Sequence, residues 1–231
     1  MTRKRSVYFG PSQSVAVGLV AVTPLLVAYE LTILFSEERT QATAGLLLRR
    51  LFALLGPGGF LIFNAALAIG FLLALQAKHD RAKTRRFQLY PMIVLEGIAY
   101  GGLLGPLLIG ILGRLAPMAA ISDVGHSLAL GAGAAVYEEV LFRLVLIGGG
   151  CAVLKGARGI DRTVSGAILV VVSSALFSLF HHVGPGAEAF EVRVALYRFV
   201  AGLVLGALYV MRGLGVTVYS HAAYNAFVLL G

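Results

Sequence analysis

Seven long apolar blocks alternate with short polar and basic segments along this chain. They cover residues 14–35, 60–76, 89–112, 127–154, 164–181, 194–211 and 214–231. About 20 consecutive apolar residues cross the roughly 30 Å hydrocarbon core as a helix, so each block predicts a membrane span. The first block is too long for a signal-peptide core and has no Ala-x-Ala-like cleavage site after it, so it is expected to be retained. Between the first two blocks, residues 46–55 place Arg49 and Arg50 among leucines, which predicts an amphipathic helix lying in the interface. The Gly56-Pro57-Gly58-Gly59 run closes it. The expected fold is all-α: a polytopic transmembrane helix bundle of about seven spans plus one amphipathic interfacial helix. Residues 1–231 read as a single integral-membrane domain, with its polar motifs gathered in 127–231.

Composition agrees with that class. Of the 231 residues, 58% are hydrophobic and 13% charged, where a soluble domain carries about a quarter charged residues. The net charge of +8 does not indicate nucleic-acid binding, because the basic residues sit mostly in short loops and no nucleic-acid motif is present. With the N-terminus in the cytoplasm, twelve Lys and Arg fall in cytoplasmic segments and five in the opposite ones. That is the positive-inside pattern and sets the expected orientation. Cys151 is the single cysteine, which excludes an internal disulfide framework and a C-x-x-C metal site. No internal repeat is evident.

Ionisable residues change the picture, because at bilayer depth they are costly and commonly functional. Glu30 near the end of the first span is expected to reach the interface. Glu96 in the third span is expected to pair with a buried arginine. Three further groupings lie on separate spans. The first is Tyr137-Glu138-Glu139-Val140-Leu141-Phe142-Arg143. On a helix Glu139 and Arg143 are four apart with the acid first, the favourable order for a pair. Glu138 is rotated about 100° away, which leaves it to act as a general base. The second is Phe177-Ser178-Leu179-Phe180-His181-His182, in which Phe177 and His181 share a face. The third is His221-Ala222-Ala223-Tyr224-Asn225, two polar groups one turn apart that can aim donors at an oxyanion. Each grouping alone also suits a structural role; the three together favour one shared site. The span limits place His181 near the outer end of its helix and His221 nearer the inner third of its own.

In this order, Glu138-Glu139-x-x-x-Arg143, Phe177-x-x-x-His181 and His221-x-x-x-Asn225 resemble the CPBP family, the type II CAAX prenyl endopeptidases and their bacterial relatives. The resemblance covers residues 127–231. It implies a glutamic-type intramembrane endopeptidase without a cofactor, residing in a bacterial cytoplasmic membrane and cutting a membrane-anchored protein or peptide near its C-terminus. By position, Glu138 would activate water, His181 would orient or deprotonate it, His221 and Asn225 would stabilise the oxyanion, and Glu139 and Arg143 would support the site. His182 falls outside the motif. Three other readings use the same residues. One is a metallopeptidase with zinc on Glu138, His181 and His221, although no His-Glu-x-x-His motif is present. Another is a proton-coupled carrier using Glu96, Glu138 and Glu139, without the matching broken helices that carriers show. The last is a non-catalytic membrane scaffold.

Overall fold

The computed structural model describes residues 8–35, 56, 59–76, 86–112, 124–183 and 189–230, all helical or connecting turn, with no strand among them. A short helix, α1 (Phe9–Ser12), precedes α2 (Val15–Phe35), α3 (Gly59–Gln76) and α4 (Leu89–Leu112). The long α5 follows as three continuous stretches, Val124–Glu139, Val140–Gly149 and Gly150–Arg158. Then come α6 (Arg162–Phe180), α7 (Val192–Arg212) and α8 (Leu214–Leu230). Five of these helices are long and apolar enough to cross a membrane, and two shorter apolar helices, within α3 and at α8, add to them. The chain is thus an all-α, multi-pass membrane bundle. The interfacial helix expected at 46–55 lies outside the described residues.

Local chemistry explains the boundaries. The fourth apolar block grows into a 35-residue helix, Val124–Arg158, whose length of about 50 Å exceeds the hydrocarbon core. It ends where Gly159 takes a left-handed φ of +63° and donates to the Leu154 and Lys155 carbonyls. Lys155 and Arg158 in that last turn favour the negative end of the helix dipole. Two residues later Asp161 caps α6, accepting from the Thr163 N–H at 2.7 Å. Gly213, at φ +82°, alone separates α7 from α8.

Helix α8 lies at the centre, packed on α2, α4 and α5. Small residues on α4 permit that closeness. A Cβ added at Gly97 would lie 2.4 Å from the Tyr219 Cβ, and one at Gly101 would lie 2.4 Å from the Ser220 carbonyl oxygen. Apolar side chains fill the seams: Leu19, Val22, Val136, Val140, Leu214 and Val218 form one cluster between α2, α5 and α8. Many large apolar residues on the outer faces of α3, α4 and α6 are exposed, as a lipid-facing surface requires.

The isolated intramembrane carboxylates have partners. Arg212 at the end of α7 holds Glu96 with two hydrogen bonds, Nε–Oε1 at 2.5 Å and Nη2–Oε2 at 2.8 Å. This is the expected pairing with a buried arginine, and the Tyr8 hydroxyl also donates to Glu96. Glu30 has a second connection. It is exposed, yet it accepts a hydrogen bond from the Tyr137 hydroxyl at 2.6 Å, so it also serves α5.

Candidate active site

Glu138 and Glu139 close the first stretch of α5, immediately before its i→i+5 bonded segment Val140–Gly149. Such π segments are rare and tend to occur at functional positions. Both carboxylates are buried, Glu139 completely. Glu139 stands between two partners. Its Oε2 lies 3.1 Å from Arg143 Nε, four residues on. Its Oε1 lies 2.8 Å from Nδ1 of His221 on α8. A carboxylate can only accept, so Nδ1 of His221 carries a proton. The other ring nitrogen, Nε2, stands 3.7 Å from Glu138 Oε2. The ring of His221 therefore lies across two adjacent carboxylates of α5, one at each nitrogen.

Arg143 is fully buried. Its Nη2 donates to the Gly202 carbonyl of α7 at 3.3 Å, a long bond. The contact to Glu139 is close enough for an ion pair but not aligned as a hydrogen bond, and Nη1 has no hydrogen-bond partner. The guanidinium instead lies over the Phe177 ring, 4.7 Å from its centroid. Phe177 of α6 is buried, and it packs edge-wise against Phe142 at 5.4 Å, His181 at 5.0 Å and His221 at 6.0 Å. Ser173 of α6 donates to the Phe142 carbonyl at 2.8 Å, fixing α6 beside the π segment.

His181 is the C-cap residue of α6, and its Nδ1 lies 2.8 Å from the Phe177 carbonyl oxygen. The carbonyl accepts, which places the lone pair of the neutral ring on Nε2. Phe177 contacts both histidine rings, 5.0 Å from His181 and 6.0 Å from His221 between centroids. The structure therefore gathers Glu138, Glu139, Arg143, His221 and, through Phe177, His181. Asn225 is one turn beyond His221, and its amide donates to the Gly131 carbonyl of α5 at 3.0 Å. That carbonyl is about two helical turns before Glu138, so Asn225 sits at the edge of the cluster rather than in its centre. Among the described residues no group of three His, Cys, Asp or Glu side chains is arranged to hold a metal ion.

Sequence reasoning assigned no role to three features. Phe177 is the common contact of Arg143, His181 and His221. The Glu139–His221 bond joins residues 82 apart, and only the fold reveals it. Tyr137 donates to Glu30 at 2.6 Å and lies 2.7 Å from Asn64 Oδ1, tying α5 to α2 and α3 one residue before Glu138. A signal for the last was present: three hydrogen-bonding side chains on separate apolar blocks need partners.

A family model described as Type II CAAX prenyl endopeptidase Rce1-like matches residues 120–227, the stretch that contains every residue of this cluster. No curated protein and no solved structure matches the chain. The chain is a multi-pass membrane protein whose residues 120–227 are similar to the Rce1-like type II CAAX prenyl endopeptidases, a family of proteases.

Proposed function

We propose that this protein hydrolyses a peptide bond near the C-terminus of a membrane-anchored protein or peptide, with water activated by Glu138 and no bound metal. The observation that carries this reading is the engagement of both ring nitrogens of His221, with Glu139 at Nδ1 and Glu138 at Nε2. With Arg143 positive and both glutamates negative, a doubly protonated His221 brings the formal charge of the cluster to zero. It also gives the ring an N–H at Nε2. In the reaction Glu138, with His181, takes a proton from water as the water oxygen bonds to the scissile carbonyl carbon. The carbonyl electron pair moves to oxygen, where the His221 Nε2–H and an Asn225 N–H stabilise it. Collapse returns that pair and breaks the C–N bond, and the proton held by Glu138 passes to the leaving amine. One oxyanion donor is worth about 10²–10³ in rate.

Burial excludes bulk water from the cluster, which strengthens each of these contacts. Glu139 and Arg143 hold His221 in register and do not contact the substrate. The proposed setting is a bacterial cytoplasmic membrane with the N-terminus on the cytoplasmic side; the distribution of basic residues supports the orientation.

The test is cleavage by the purified full chain in liposomes, using quenched fluorescent peptides with and without a C-terminal prenyl group. Wild type should cleave and be indifferent to 1,10-phenanthroline, while Glu138→Gln should fall by about 10²–10⁴. Loss of activity to the chelator, restored by zinc, would sink the metal-free reading. Equal turnover by Glu138→Gln would sink the role of Glu138.

A further inference from the structure

We propose that Phe177 is a positioning residue whose π face carries part of the charge of Arg143 and so leaves Glu139 available to His221. The inference rests on the reading of His221 and Glu138 given above. Arg143 is an arginine with no exposed surface in a membrane protein. Its inventory of hydrogen bonds is short: one long bond to the Gly202 carbonyl, a non-aligned contact to Glu139, and no partner for Nη1, with the charge of Glu138 acting without a direct bond. A guanidinium in that position would draw the nearest carboxylate into a two-pronged fork, the geometry it forms most strongly with an acid. Glu139 does not adopt that geometry. One of its oxygens is turned to His221 Nδ1 at 2.8 Å.

The Phe177 ring makes this division possible. Its face lies 4.7 Å from Arg143 Cζ, and a desolvated cation over an aromatic face is strongly held. The same ring packs edge-wise on both histidines, and the same residue's carbonyl orients His181. A single residue thereby sets the orientation of Glu139, His221 and His181 without touching the reacting atoms. An alkyl side chain of equal volume would fill the space but would not offset the charge. Arg143 would then recruit both oxygens of Glu139, and His221 would lose the partner at Nδ1.

The discriminating experiment varies the electron density of the ring at constant shape. Phenylalanine, its trifluoro form and its pentafluoro form are incorporated at position 177 of the full chain. Turnover of the quenched prenyl peptide and ¹⁵N spectra of the histidine rings are recorded, with Glu138→Gln as the reference for inactive enzyme. The proposal predicts a graded loss of turnover reaching about 10-fold or more, a graded change in the His221 ring signals, and melting temperatures that stay together. Phe177→Tyr should retain activity and Phe177→Leu should not. A His221 signal indifferent to fluorination overturns the proposal, whatever turnover does. Active Glu138→Gln instead overturns the reading of the site, and the ring signals still decide the role of Phe177.

Discussion

Replacing Glu139 by Gln removes the one negative charge that lies between Arg143 and His221. Both Glu139 and Arg143 have no exposed surface. The amide can accept from one donor, but its NH₂ must then face the other cation. The variant loses a charge-assisted bond at 2.8 Å and an ion contact at 3.1 Å, and it leaves the buried guanidinium with only the more distant charge of Glu138. Breaking a buried pair in this way costs about 3–5 kcal/mol. For a chain of this size that corresponds to a fall in melting temperature of roughly 6–20 °C, at about 2–4 °C per kcal/mol. Cys151 supplies the assay. It is the single cysteine and is buried, so a thiol-reactive fluorophore reports global unfolding in detergent. The double variant Glu139→Gln, Arg143→Met removes both charges while keeping volume, and it should recover several degrees over Glu139→Gln alone, because removing a pair costs less than halving it. A Glu139→Gln melting point within about 2 °C of wild type, which corresponds to under 1 kcal/mol, would show that Glu139 does not neutralise Arg143. A double variant no more stable than the single one would do the same.

Other outcomes follow from the same geometry. Asn225→Ala should lower turnover by about 10²–10³, whereas a loss under threefold in kcat would remove it from the oxyanion site. Gly101→Ala should lower both melting temperature and activity, since its Cβ would lie 2.4 Å from the Ser220 oxygen and 2.6 Å from the Ala223 Cβ and must push α8 and its His221 aside; a variant as stable and active as wild type contradicts that packing. Tyr137→Phe should cost about 0.5–1.5 kcal/mol by removing the hydroxyl that joins Glu30 and Asn64, read as a lower melting temperature in the same thiol assay. Glu96→Gln should loosen α7 from α4 by a similar mechanism at Arg212, and protease protection of the 212–214 junction would show it.

How much of this was legible in the chain depends on the range of each interaction. The apolar blocks gave the helices because lipid demands internally bonded backbone of a fixed length. Their ends drifted where the stop signals lie outside the apolar run: the fourth block, 127–154, runs on to Arg158 because Gly159 sets that boundary. The Glu139–Arg143 pair was readable because helix periodicity alone places those residues together. The partner of Glu96 was expected to be an arginine, but only folding selects Arg212, 116 residues away. The second role of Glu139 was hidden for the same reason. The π segment Val140–Gly149 had no signature in the sequence, because no residue type announces i→i+5 bonding. Phe177 was visible as part of a motif, yet its contacts reach Arg143 of α5 and His221 of α8 as well as His181 at the end of its own helix, which only the fold reveals.

The central claim is that Glu138 activates water rather than attacking the substrate itself. Single-turnover cleavage in H₂¹⁸O, followed by mass spectrometry of the product and of the digested protein, tests it directly. The account predicts one ¹⁸O in the new product carboxylate and none in the Glu138 side chain. Label in Glu138, with none in the product, would contradict it.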